Sequence, residues 1–243
     1  MVWRHNYWWF IIVIMSLGLN IGLALLAKKL YLDNNELRLD PLQLNLYSDN
    51  EVTQKTKTRV VFFGDSRALS WSAPELEHLE FINRGIGQQT SAQIQLRFDQ
   101  HVKPLQADWV VLQLGVNDLK AIPLFPEQRA SIIEQCKNNL QRIIHQAHAQ
   151  GSKVLLTTVF PLGEVPLERM PFWSPEVADA INTINEFIRS LQGDKIEVLD
   201  TYQLLVSATP QKIRQEYSRD LLHLNAEGYK QLNKALMSFF RDR

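Results

Sequence analysis

The chain carries one cysteine, Cys136, in 243 residues. That excludes a disulfide framework within the chain and any multi-cysteine metal site. A charge imbalance is also missing, since 26 Lys and Arg stand against 26 Asp and Glu. A neutral chain lacks the basic face that neutralises phosphates, which argues against a nucleic-acid partner. There is no internal repeat and no low-complexity tract. Hydrophobic residues make up 45% of the chain, enough for a buried core, so global disorder is excluded. The length suits one domain, or one domain with an appendage.

The most local absence is of charge between Trp8 and Ala27, where Ser16 and Asn20 are the only polar side chains. Twenty helical residues rise about 30 Å, the thickness of a bilayer's hydrocarbon. Tyr7, Trp8 and Trp9 stand at one edge, where amphipathic rings prefer the headgroup level, and Lys28 and Lys29 follow the other. The stretch reads as a membrane span or a secretory signal. Gly22-Leu23-Ala24 offers a small-residue cleavage site, but the apolar run exceeds a signal's usual core of roughly 7–15 residues. Residues 1–29 are therefore expected to be an uncleaved single-pass anchor, and a secreted protein follows if the segment is removed. Arg4 on one flank against Lys28 and Lys29 on the other does not decide orientation. Gly18 and Gly22 match a helix-packing spacing that is common in membrane spans generally.

Residues 30–58 alternate charged residues, Asn, Leu and Thr without a sustained period and read as a stalk. From Arg59 onward short apolar runs recur: Val60–Phe63, Glu80–Asn83, Trp109–Leu114, Val154–Val159 and Ile196–Leu199. Helical patterns lie between and after them, at Ser91–Phe98, Glu127–Gln150, Pro175–Leu191 and Asn225–Phe240, the last with Asn225 as its N-cap. Continuous apolar strands alternating with helices predict a five-stranded parallel sheet covered on both faces. Such sheets place function at the carboxyl ends of their strands.

At those ends stand Gly64-Asp65-Ser66-Arg67, Asn83-Arg84-Gly85-Ile86-Gly87-Gln88-Gln89-Thr90, Gly115-Val116-Asn117-Asp118 and, before the last helix, Asp220-Leu221-Leu222-His223. Taken singly, each has an ordinary role as a cap, a turn or a surface pair. Together they supply the parts of an acyl-transfer site. Ser66 needs a base to become a nucleophile. Of the six histidines, His5 flanks the anchor, His78 and His101 sit in polar connections, and His145 and His148 lie on the solvated face of a long helix. Only His223 has a carboxylate three residues before it. Asp220 would keep one ring nitrogen protonated and leave the other to accept the serine proton. The Asn117 amide is placed to donate to an oxyanion. Asp118 is expected to cap the segment that follows it. The turn after the first strand has neither G-x-G-x-x-G nor a P-loop lysine, which sets a nucleotide-binding domain aside.

These four blocks resemble those of the SGNH (GDSL-type) hydrolase superfamily over about residues 59–240. Arg67 stands where the commonest form has Leu. The resemblance implies a three-layer α/β/α, flavodoxin-like hydrolase domain over 59–243, with no metal and no cofactor. It implies Ser66 as nucleophile, His223 as base and Asp220 as its orienter. The oxyanion would be held by the Ser66 N–H, the Asn117 side chain and a backbone N–H of the second block. That last position is usually glycine and here is Gln88, with Gly87 just before it. Gln fits there at negative φ; a positive φ costs a residue with a Cβ about 1–2 kcal/mol.

The stretch Phe160–Pro175 follows the fourth strand and should border the same cleft. Met170, Phe172 and Trp173 within it, and Trp71 just past the nucleophile, are the expected pocket residues. The reading is a membrane-anchored serine esterase, its domain extracytoplasmic by family analogy, acting on a small acyl ester of a carbohydrate or on a lipid ester. Two alternatives stand beside it: a tethered polysaccharide O-acetyltransferase, and an anchored binding protein with an inactive site.

Overall fold

The computed structural model of the protein describes residues 6–47, 55–208, 211–241 and 243. They belong to two units, Met1–Gln43 and Leu44–Arg243. Arg4 and His5, and residues 48–54 of the expected stalk, lie outside the described residues.

The first unit is a helix, α1 (Asn6–Leu39), 34 residues and about 51 Å long. From Tyr7 onward it is long and apolar enough to cross a membrane, a property that a span and a signal sequence share. Its second part corrects the expected stalk, because residues 30–39 continue the helix. They contain no Gly or Pro, and Asn35 Nδ2 donates to the Tyr31 carbonyl one turn back. They are largely exposed, so no buried face imposes a period on the sequence. The helix stops where Pro41 disfavours the helical conformation of Asp40.

The second unit holds strands β1 (Thr58–Gly64), β2 (Leu79–Gly85), β3 (Trp109–Gln113), β4 (Lys153–Thr157) and β5 (Ile196–Leu199). All pair in parallel, in the order β2-β1-β3-β4-β5. Its helices are α2 (Ser66–Leu69), α3 (Ser91–Leu96), α4 (Phe98–His101), α5 (Val116–Leu119), α6 (Arg129–Ala149), α7 (Glu176–Ser190), α8 (Thr201–Leu205) and α9 (Ala226–Phe240).

Successive side chains of a strand face opposite ways, and β1 shows the result. Val61 and Phe63 join a core with α3, α4, α6 and α7, through Ile94, Phe98, Leu140, Ile143, Ile181 and Ile184. Val60 and Phe62 join a second core with α9, through Tyr229, Leu232, Leu236 and Phe240. The result is the expected three-layer α/β/α arrangement with flavodoxin-like strand order.

Connections leave β1 and β3 in opposite directions, which opens a crevice at their carboxyl ends. Gly64 pairs with both Gly85 and Gln113, so three strands finish at one level. Only glycine fits at the first two positions. A Cβ on Gly64 would meet the Gln113 carbonyl oxygen at 1.8 Å, and one on Gly85 would meet the Leu69 backbone nitrogen at 2.2 Å.

Candidate active site

Ser66 opens α2, directly after β1. Asp65 caps that turn, its Oδ1 accepting from the Arg67 N–H at 2.9 Å. The Ser66 Oγ lies 2.9 Å from His223 Nε2. On the other side of the ring, His223 Nδ1 lies 2.9 Å and 3.0 Å from the two Asp220 carboxylate oxygens. A proton held on Nδ1 by that carboxylate leaves Nε2 as the acceptor facing serine. Asp220 Oδ1 also accepts the backbone N–H groups of Leu222, at 2.8 Å, and His223, at 2.9 Å.

The electrostatics follow from these contacts. Burial works to raise Asp220, but the hydrogen bonds from Leu222 and His223 outweigh it and hold the carboxyl at about 2. Burial pushes His223 below its ordinary value, with Arg219 and Arg67 adding to the effect and Asp220 opposing it. The ring is therefore neutral, and the carboxylate ionised, at neutral pH.

Asn117 lies on α5, just past the end of β3. Its Nδ2 donates to the Gln89 carbonyl at 2.9 Å, and the amide's second proton remains for another acceptor. This contact joins the third block to the second. Gln88 has φ +65°, in the left-handed region, and its side chain is exposed. The residue with a Cβ thus occupies the strained conformation, at a cost of about 1–2 kcal/mol. Gly87 has open space around it and does not take the positive φ. Strain of this kind persists where surrounding contacts over-determine it.

Other expectations are corrected. Trp71 is 1% exposed. It packs among Phe62, Phe160 and Tyr229, and its indole N–H donates to Asn233. It is a core residue and does not line a substrate pocket. Asp118 caps the start of α3, accepting from the Ser91 N–H at 2.9 Å and the Ser91 hydroxyl at 2.6 Å, and not the segment after it. His101 is buried within a hydrogen-bonded cluster and is no part of a polar connection.

After β4, Val159, Phe160 and Leu162 are buried, and Gly163 donates to the Leu221 carbonyl at 2.8 Å. The segment therefore borders the loop carrying Asp220 and His223. Beyond it, Met170 and Phe172 are exposed on a short 3-10 turn, and Trp173 packs partly against the larger core. Burial lowers Lys120, which follows α5, with Asp65 opposing the shift and Arg169 and Arg67 adding to it.

Several contributing residues escaped sequence reasoning. Arg67 is wholly buried, donating from Nε to the Leu222 carbonyl at 2.7 Å and from Nη1 to the Phe160 carbonyl at 3.4 Å. It ties the serine turn to the histidine loop. Arg67 Nη2 and Asp65 Oδ2 are buried without partners among the described residues. Burial raises Asp65 to about 6 and lowers Arg67 to about 10, each moderated by the other's charge. Arg97 is also buried, on the apolar side of its helical turn beside Ile94 and Phe98. A cation in that stripe was the available signal. Among the described residues, no group of three or more His, Cys, Asp or Glu is arranged to hold a metal.

Residues 53–231 match the GDSL-like Lipase/Acylhydrolase family. No curated protein matches the chain. Among solved structures, a Bacteroides fragilis protein named as an acylhydrolase is 25% identical with a TM-score of 0.65, over 83% of this chain and 97% of that one. A GDSL-like lipase from Bacteroides thetaiotaomicron is 24% identical with a TM-score of 0.64, over 82% and 98%. An acetyl xylan esterase is 25% identical with a TM-score of 0.61, over 75% and 99%. Fold and family agree on the class, that of ester-cleaving serine hydrolases. Within it, this chain belongs to the GDSL-like lipase/acylhydrolase family.

Proposed function

We propose that the protein is a membrane-tethered serine esterase that removes a small acyl group, acetyl being the best fit, from a carbohydrate. The observation that carries this reading is the hydrogen-bonded row Ser66–His223–Asp220. Likeness to an acetyl xylan esterase supports the choice of acyl group and carrier. The apolar part of α1 supports the tether, and family analogy supports an extracytoplasmic domain.

In the first half-reaction the Ser66 Oγ attacks the ester carbonyl carbon while its proton passes to His223 Nε2. The carbonyl oxygen becomes an oxyanion held by the backbone N–H groups of Ser66 and Gln88, with Gly87 adjacent, and by the Asn117 amide. The carbon–oxygen bond to the alcohol breaks, and that oxygen takes the proton from His223. Water then attacks the acyl-serine, giving its proton to His223, and Ser66 leaves as the alcohol by taking it back. Asp220 stays ionised throughout and stabilises the imidazolium. Met170, Phe172 and Trp173 are the pocket candidates that remain on the side of the cleft reached after β4.

Ser66→Ala is expected to abolish p-nitrophenyl acetate turnover and labelling by a fluorophosphonate. Labelling that persists in this variant would overturn the assignment. Failure of the folded wild-type protein to label would favour an anchored binding protein. Adding a glycan acceptor and measuring acetyl transfer against hydrolysis separates the esterase from an O-acetyltransferase.

A further inference from the structure

A second cluster of contacts lies behind the oxyanion loop, and it begins ahead of β1. Tyr47 precedes the residues matched by the family, which begin at 53. Its hydroxyl donates to the Gly85 carbonyl at 2.6 Å. Its ring lies beneath the Arg84 guanidinium, 4.6 Å from Cζ to the centroid, and meets the His101 ring edge-on at 5.2 Å. His101 Nε2 lies 3.0 Å from the Leu44 carbonyl, and its Nδ1 lies 3.2 Å from Arg97 Nη1.

Arg97 continues the chain of contacts. Its Nη1 donates to the Arg84 carbonyl and its Nη2 to the Gly64 carbonyl, each at 2.8 Å, and its Nε donates to Gln89 Oε1. The Gln89 carbonyl in turn accepts from Asn117. A line of contacts therefore runs from Leu44–Tyr47 to two of the three expected oxyanion donors, to Asn117 directly and to Gln88 through its neighbour Gln89.

We propose that Tyr47 is a positioning residue for the oxyanion hole. By holding the Gly85 carbonyl and packing against Arg84 and His101, it fixes the entrance of the Gly85–Gln89 loop. Gln88 N–H and the Asn117 amide then stay aimed at one point. This rests on the oxyanion reading of the site given above.

Two features of the fold give the contact its purpose. β2 is an edge strand, paired on one side by β1, so its last residue is held by few ladder bonds. The loop that follows carries the strained Gln88, whose conformation must be enforced from outside. Arg97 holds both ends of the loop, through the Arg84 carbonyl and Gln89, Asn117 holds the exit, and Tyr47 adds the hydrogen bond to the Gly85 carbonyl at the entrance. Burial raises the Tyr47 phenol, so it remains a donor through the neutral range.

The test uses the full chain in detergent, with Y47A, Y47F, N117A and Y47A/N117A assayed on p-nitrophenyl acetate alongside thermal melts. Y47A is expected to lower kcat by about tenfold or more with KM little changed, and Y47F to fall between Y47A and wild type, because a small misplacement of catalytic donors costs rate steeply. N117A alone is expected to cost roughly 100- to 1000-fold. In the N117A background, Y47A should cost far less than in wild type, since both act through one hole.

A lowered Tm with unchanged kcat, or losses that multiply in the double variant, would overturn the proposal and leave the site reading standing. An N117A variant with full kcat would overturn the oxyanion reading and this proposal with it. Should Y47A not fold, Y47F decides alone, and an unchanged kcat there counts against the proposal.

Discussion

Burial holds the His223 imidazole below its ordinary value of 6.5, and the sign of that shift has a kinetic consequence. The proposed base is active when neutral, so activity is expected to be lost as pH falls through its folded value. The acid limb of kcat/KM on p-nitrophenyl acetate is expected to lie below 6.5, since that limb reports the free enzyme's base. A limb above that value would mean that Asp220, which works in the opposite direction, dominates the ring. Asp220 itself, held at about 2, stays ionised across the whole assay range and adds no second limb. The buried pair Asp65 and Arg67 shows how a departure from the commonest family sequence is accommodated. Arg67 makes two carbonyl contacts, to Leu222 and Phe160, and so couples the serine turn to the histidine loop by hydrogen bonds.

Elements reach the site through close backbone approach, at Gly64 and at Gly85. A methyl group at Gly85 would press on the Leu69 backbone at 2.2 Å and move α2, which begins at Ser66. Gly85→Ala is expected to destabilise the catalytic unit by about 1–3 kcal/mol and to slow fluorophosphonate labelling in the fraction that stays folded. A variant that melts lower but labels at the wild-type rate would show that α2 tolerates the shift. The elements themselves were largely legible. β1, β3 and β4 are buried on both faces and read as near-continuous apolar runs, β2 and β5 are half-buried and read more weakly, and α6, α7 and α9 carry clear periods. Residues 30–39 of α1 were not legible as helix, because an exposed helix has no buried face to write a period. The missed contacts are those between residues far apart in the chain. Asp118 caps a helix that begins 27 residues earlier, and Tyr47 reaches Gly85 across 38 residues. Trp71 was misplaced because proximity to Ser66 in sequence says nothing about which face of the sheet a side chain enters.

At the scale of the molecule, the neutral charge and the apolar fraction are averages over dissimilar parts. Trp8 to Ala27 carries no charge, so the whole formal charge balance belongs to the rest of the chain. Activity-based labelling of intact cells against lysed cells is expected to mark the protein in both, as an extracytoplasmic domain requires. Labelling only after lysis with an impermeant probe would reverse the proposed sidedness and leave the hydrolase reading intact. The strand ends that supply Ser66 and Asn117 are complete by mid-chain, yet the proposed base, His223, arrives from just before α9. The Ser66–His223 hydrogen bond joins residues 157 positions apart. Contacts of such sequence separation form late in folding, because loop closure must precede them. On the proposed mechanism, a copy in which the loop carrying His223 has not docked holds an unactivated serine. Reactivity toward a fluorophosphonate then reports that the loop before α9 has docked against the serine turn.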